Sequence, residues 1–227
     1  MGDAATVVLV HGAWHGAWCW EKVAPRLDAA GIATVAVELP LTSLRDDVKA
    51  TMSAVDAIEG RVVLCGHSYG GAVITEAGHH PSVEHLVYLT AFACDEGESP
   101  AATAVDTPMP STDLVNVLLV SEDGIATLDL SASVKVFYHD CDAADVDAAV
   151  ARLRPMHMSC VTTPEGAPAW RVKPSTYIVC ANDQAIHPEL QRLMAKRCTA
   201  TVEWPTAHSP FLNRPDLVAN LLTELAR

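Results

Sequence analysis

The sequence predicts an α/β fold, a sheet of about six mostly parallel strands flanked by helices. Three observations carry that expectation. Short apolar runs rich in β-branched residues alternate with stretches of helical period along most of the chain. A glycine-bounded turn, Gly66-His67-Ser68-Tyr69-Gly70, joins the run Arg61-Val62-Val63-Leu64-Cys65 to a small apolar segment that begins at Gly71. The 227 residues, half of them hydrophobic, supply one domain with a core enclosed on both faces of a sheet.

Taken in order, Ala5 to Val10 reads as the first strand and ends at His11-Gly12-Ala13-Trp14-His15-Gly16. Open α/β sheets bind ligands at the carboxyl ends of their strands, so this loop is expected to face a ligand. Trp18, Trp20, Val23 and Leu27 follow with helical spacing. Ile32 to Leu39 is a second strand, stopped by Pro40. Ser43 is placed to cap a helix through about Ile58, with Asp46 and Asp47 in its first turn. After the glycine-bounded turn and its helix, Val83 to Ala93 reads as a fourth strand.

The alternation breaks after Cys94. Between Asp95 and about Pro174 prolines cluster at Pro100, Pro108, Pro110, Pro155, Pro164 and Pro168, and two segments look helical, Ser111–Val120 and Ala143–Leu153. A structureless loop of roughly 80 residues is foreign to a compact domain, so residues 95–174 are expected to form a helical cap, with 1–94 and 175–227 as the core. Phe137, Tyr138, Met156, Met158 and Trp170 are candidate pocket residues in it, beside Gly12, Trp14 and His67 of the core. The pattern resumes with a strand at Ser175–Ala181, a helix at Pro188–Arg197, a last strand at Thr199–Trp204 and a closing helix at Asp216–Ala226.

A net charge of −13 argues against nucleic acid and anionic membrane surfaces as partners and favours a neutral small-molecule ligand. No apolar run approaches the length of a membrane span. Met1-Gly2-Asp3-Ala4-Ala5 leads into a strand without the pattern of a signal peptide, and burial explains the Met-Gly start better than myristoylation. Seven cysteines at scattered spacing, with no C-x-x-C, fit the cytoplasm; Cys65, Cys94 and Cys180 read as buried small hydrophobes. The ten histidines include His79-His80 before Pro81 but no H-E-x-x-H pattern, and neither a metal nor a cofactor is expected.

The chemistry follows from reading the strand ends together. Strand, G-x-S-x-G, helix is the setting of a nucleophile elbow, whose turn lifts the Ser68 hydroxyl out of the sheet. A serine hydroxyl needs a base, and the base needs a group that fixes its tautomer. His208 in Pro205-Thr206-Ala207-His208-Ser209-Pro210 and Asp183 in Asn182-Asp183-Gln184 both lie past predicted strands. Asp95, past the fourth strand, is the competing acid. The backbone N–H groups of Ala13 and Tyr69 are the expected oxyanion donors.

Val8 to Trp18, Gly66 to Gly71 and Ala207-His208-Ser209-Pro210 resemble the α/β-hydrolase superfamily, and within it the branch of plant methylesterases, hydroxynitrile lyases and small bacterial carboxylesterases of the pyrethroid-hydrolase type. The resemblance implies a cofactor-free serine esterase acting on a small, fairly hydrophobic ester under a helical cap. Lyases of that branch carry threonine where Gly12 stands, glutamate where His67 stands and lysine where Ser209 stands, and these departures count against cyanohydrin cleavage. A ligand-binding protein on a hydrolase scaffold and an acyltransferase stay open as alternatives. Acyl group, alcohol, ester-versus-amide preference and oligomeric state are not legible.

Overall fold

A computed structural model of the chain describes residues 4–107, 110 and 112–227. Met1, Gly2, Asp3, Pro108 and Ser111, which entered the sequence reading, lie outside the described residues. In chain order the elements are β1 (Thr6–Val10), a 3-10 turn (Ala17–Trp20), α1 (Ala24–Ala29), β2 (Thr34–Val37), α2 (Leu44–Asp56), β3 (Val62–His67), α3 (Gly70–Ala77) and β4 (Val83–Leu89). Then come α4 (Pro100–Asp106), α5 (Leu114–Val117), β5 (Leu118–Val120), β6 (Ile125–Leu128), α6 (Leu130–Phe137), α7 (Ala143–Val150), β7 (Met156–His157), α8 (Ser159–Thr162) and a 3-10 turn (Ala169–Arg171). The chain closes with β8 (Ser175–Cys180), α9 (Pro188–Ala195), β9 (Ala200–Trp204), α10 (Pro210–Asn213) and α11 (Pro215–Ala226).

Six strands form one sheet in the order β2-β1-β3-β4-β8-β9, every pair parallel. The chain leaves β1 toward β2 and returns across it to β3. Right-handed crossovers therefore send α1 to one face and α2 and α3 to the other. The pairs α1·α11 and α2·α3 pack accordingly. β1, β3 and β8 are buried along nearly their whole length, as strands covered on both faces must be. The reversal of strand order between β1 and β3 opens a crevice at their carboxyl ends, where His11-Gly12 and Ser68 emerge.

The expected first helix is divided into a 3-10 turn and α1, because Pro25 has no N–H to give and is tolerated only in a helix's first turn. β4 stops at Leu89, short of Ala93, where Thr90 turns to a φ of 41°. The segment after β4 differs most from expectation. It is not purely helical: β5, β6 and β7 form an antiparallel three-stranded sheet. Leu118-Leu119-Val120, expected in a helix, pairs with Ile125–Leu128 through a turn closed by Gly124 at φ 80°. Asp123-Gly124 between two apolar runs is a hairpin signal in its own right. Among the described residues, no helix is long and apolar enough to cross a membrane, and no group of histidine, cysteine and carboxylate side chains could hold a metal ion.

Candidate active site

Ser68 occupies the turn between β3 and α3 with a φ of 53°, a left-handed conformation that costs a non-glycine residue about 1–3 kcal/mol. The turn closes only because its neighbours lack side chains: a Cβ on Gly66 would overlap the Gly70 carbonyl. The Ser68 N–H donates to Leu89 O at 3.3 Å, and its carbonyl accepts from the N–H groups of Gly71 and Phe92 at 3.0 and 3.1 Å. Strain is shared around the crevice. Among the described non-glycine residues, Trp14, Leu41, Ser68 and Thr90 have positive φ, and they follow the carboxyl ends of β1, β2, β3 and β4 respectively.

His208 and Asp183 are buried, and the His208 Nδ1–H donates to Asp183 Oδ2 at 2.7 Å. That leaves His208 Nε2 as the nitrogen able to take a proton. Asp183 is held by four further donors. The backbone N–H groups of Ala185 and Ile186 reach Oδ1 at 2.6 and 3.0 Å. Gln191 Nε2 reaches Oδ2 at 2.9 Å, and the Thr90 hydroxyl donates to the same oxygen. A carboxylate so supplied stays fixed without water. Asp95, by contrast, pairs with Arg171 at the surface, while the ion-pair partner of His208 is Asp183.

Three further buried histidines lie at and just past the carboxyl ends of β1 and β3. The His67 Nε2–H donates to the backbone carbonyl of His208 at 2.8 Å, and its ring lies 4.7 Å from that of His208. Burial, then the neighbouring His208 and His15, hold His67 well below its ordinary value. His15 donates from Nδ1 to Ala13 O at 2.7 Å and accepts at Nε2 from the Tyr138 hydroxyl at 2.7 Å. Burial lowers the pKa of His15 to about 4 and that of His11 to about 3. All three rings are neutral at neutral pH.

Gly12 lies against the serine, since a Cβ there would fall 2.8 Å from Ser68 Cβ. Neither the Ala13 N–H nor the Tyr69 N–H donates to an acceptor among the described residues. Two unpaired amide donors beside a strained serine and a buried His–Asp pair form an arrangement suited to acyl transfer. The sequence profile of the alpha/beta hydrolase family matches residues 7–221. The chain belongs to the alpha/beta hydrolase family. It is 29% identical over 243 residues to the alpha/beta hydrolase nvfD of Aspergillus novofumigatus, covering 97% of this chain and 96% of that one. Methylesterase 1 of Arabidopsis thaliana is 25% identical over 251 residues, 96% of this chain and 95% of its own. The crystal structure of a pyrethroid hydrolase from Sphingobium faniae superposes with a TM-score of 0.86 at 26% identity, covering 98% of this chain and 97% of that one.

In this hydrolase the expected pocket residues divide into two groups. Phe137 packs 5.5 Å from the His208 ring and 6.2 Å from the Trp14 ring, and Tyr138 reaches the loop after β1 through His15. Trp14 is itself buried, its indole N–H donating to Ala126 O at 3.2 Å. Met156, Met158 and Trp170 are not brought to the His–Asp pair. Met156 lines a groove of about 250 Å³ with Pro40, Leu41, Ile125 and His157. The Met158 N–H donates to Gly124 O inside the small sheet's turn. Trp170 donates to Cys94 O at 2.9 Å, with the guanidiniums of Arg171 and Arg197 near its ring.

Proposed function

We propose that the chain is a serine carboxylesterase that hydrolyses small, fairly hydrophobic esters through an acyl-enzyme on Ser68. The observation that carries this reading is the buried 2.7 Å His208–Asp183 hydrogen bond at the same strand ends as the strained Ser68. Ser68 Oγ attacks the ester carbonyl and its proton passes to His208 Nε2, while Asp183 stabilises the imidazolium. The Ala13 and Tyr69 N–H groups receive the oxyanion; Tyr69 is the N-cap of α3, whose positive end adds to the site. Collapse of the tetrahedral adduct releases the alkoxide, which takes the proton from His208. Water, deprotonated by His208, then attacks the acyl carbon and frees the acid and Ser68.

Residues 95–174 act as the cap over a core of 1–94 and 175–227. Contacts of three kinds support that division. Phe137 lies on the His208 ring, the Arg154 side chain donates to the carbonyls of His15 and Leu39 at 3.0 and 2.9 Å, and Asp140 accepts from the Ala207 N–H at 2.7 Å. The apolar Trp14 and Phe137 suit a hydrophobic ester, and relatives named as a methylesterase and a pyrethroid hydrolase fit that substrate class. Seven unpaired cysteines fit a reducing, cytoplasmic compartment.

The test is hydrolysis of a p-nitrophenyl ester series from acetate to dodecanoate by the wild type and Ser68→Ala. Turnover lost by orders of magnitude in the variant is expected, with the chain-length optimum reporting the acyl pocket. Absence of both turnover and a phosphonate adduct on Ser68 would replace the esterase with a binding protein on the same scaffold.

A further inference from the structure

We propose that His11 is a positioning residue of the oxyanion hole, its Nδ1–H holding the Gly12–Ala13 peptide so that the Ala13 N–H stays turned toward the serine. This rests on the reading of Ser68 as the acyl nucleophile. In a planar trans peptide the N–H points opposite the carbonyl, so whatever fixes the carbonyl aims the donor. The carbonyl paired with the Ala13 N–H is that of Gly12. It accepts from His11 Nδ1–H at 2.8 Å and from the His15 backbone N–H at a longer 3.4 Å. The carbonyl paired with the Tyr69 N–H is that of Ser68, which accepts from Gly71 and Phe92 at 3.0 and 3.1 Å. Both donor peptides are braced from behind, one by backbone and the other by an imidazole.

The tautomer of that imidazole is dictated by its surroundings. The Leu39 N–H donates to His11 Nε2 at 3.0 Å, which requires a lone pair there. The ring hydrogen is therefore on Nδ1, facing a carbonyl that can only accept. Full burial, with His15 and Arg154 nearby, keeps the ring neutral and the tautomer constant over the pH range of a working enzyme. A hydrogen bond received at a carbonyl also polarises its peptide and strengthens the N–H on the other side. A buried leucine would fill similar space without the desolvation cost of an imidazole. The polar ring is explained by the two bonds that it makes, one of which reaches the reacting peptide.

Two conservative variants separate those bonds. His11→Asn keeps an amide donor at the Nδ1 position for Gly12 and loses the acceptor for Leu39. His11→Gln keeps an acceptor for Leu39 and withdraws the donor from Gly12. Each is assayed for ester turnover and for affinity toward two probes. One is a trifluoromethyl ketone, to whose carbonyl carbon Ser68 Oγ bonds while the serine proton passes to His208 and the carbonyl oxygen becomes an oxyanion. The other is the corresponding secondary alcohol, which fills the same space with no oxyanion.

For His11→Gln we expect kcat and ketone affinity to fall together by about 100-fold, with KM and alcohol affinity within about two-fold of wild type. His11→Asn should retain most of both. Equal behaviour of the two variants, or equal loss of ketone and alcohol binding, would overturn the assignment. A readout that needs no variant is the Nδ1 proton resonance of His11 in the wild type. It should move downfield when the ketone adds; an unmoved resonance overturns the proposal. A wild type that neither turns over an ester nor adds the ketone overturns the esterase reading and this role with it. A wild type that does both while the variants behave alike removes only the role of His11.

Discussion

The Thr90 hydroxyl donates to the same carboxylate oxygen of Asp183 that receives the His208 imidazole. Thr90 is fully buried and held at a φ of 41° just past β4, so the strand end beside the elbow strand contributes a hydroxyl that orients the proposed acid. A hydrogen bond to a charged group is worth about 1.5–3 kcal/mol. Thr90→Val keeps the shape and removes that donor, and should lower kcat/KM by roughly ten- to a hundred-fold. Gln191→Leu removes a second donor to the same oxygen, together with the acceptor for the Cys180 N–H. It should therefore also lower the urea midpoint, which Thr90→Val should lower less. Steady-state kinetics and urea unfolding of both variants check the two effects separately.

The two candidate acids make opposite predictions. Asp183→Asn leaves the shape of the site but offers an amide where five donors converge, and it frees His208 to adopt the wrong tautomer. A loss of kcat of about 10⁴-fold is the expected scale for such a change. Asp95→Asn breaks only a surface ion pair with Arg171, a contact worth about 0–1 kcal/mol, and should leave kcat/KM unchanged. Ester hydrolysis by the two variants side by side decides between them; a collapse in Asp95→Asn would reverse the assignment.

Gly12 provides a test of the proposed oxyanion donors. A Cβ there would sit 2.8 Å from Ser68 Cβ and 3.0 Å from His67 Nδ1, and neither neighbour is a flexible side-chain end. The Gly12–Ala13 peptide must shift to admit a methyl group. Loss of one oxyanion donor costs about 2.7–4 kcal/mol of transition-state stabilisation. Gly12→Ala should thus lose kcat by up to about 100- to 1,000-fold with little change in KM. Gly166→Ala, whose Cβ would meet nothing within 4 Å, should match the wild type in both constants.

The fold was legible because its signals are local and repeated: β-branched runs buried on both faces, capped helices, and a glycine-bounded turn between them. Ser68, His208 and Asp183 were legible as a set because all three follow strands. Thr90 and Gln191 were not read, since their roles come from contacts across the sheet. Each left a trace nonetheless. Thr90 is a polar residue interrupting the run Val87-Tyr88-Leu89-Ala91-Phe92. Gln191 stands on the buried face of α9, three residues before Met194 and four before Ala195. The antiparallel sheet of β5, β6 and β7 was missed because apolar runs of three or four residues carry no period of their own and are decided by partners distant in sequence. His11 and His15 were visible as residues, but the carbonyls that they hold were not.

Buried groups of opposite sign set the acid stability. His11, His15 and His67 have pKa values pushed below 6.5 by burial, to about 3 and about 4 for the first two. The unfolded chain takes up these protons below about pH 6.5 while the folded chain refuses them, so their contribution is complete above that pH and is lost as the pH falls. Glu165 acts in the opposite direction. Its carboxyl oxygens are buried without a hydrogen bond of normal geometry among the described residues, and burial raises its pKa well above 4.5. The folded state keeps that proton while the unfolded state gives it up, so the contribution of Glu165 is full below about pH 4.5 and declines as the pH rises. Glu165→Gln imitates the protonated form and removes only this second effect. Urea unfolding should show the variant equal to the wild type near pH 4 and increasingly more stable toward pH 7. The gap should open by up to about 1.4 kcal/mol per pH unit until Glu165 ionises in the folded state. The fall in stability between pH 6.5 and 4.5 should be correspondingly steeper in Glu165→Gln, because the histidines then act without an opposing group. A variant whose curve runs parallel to that of the wild type would mean that Glu165 is ionised and solvated in the folded protein.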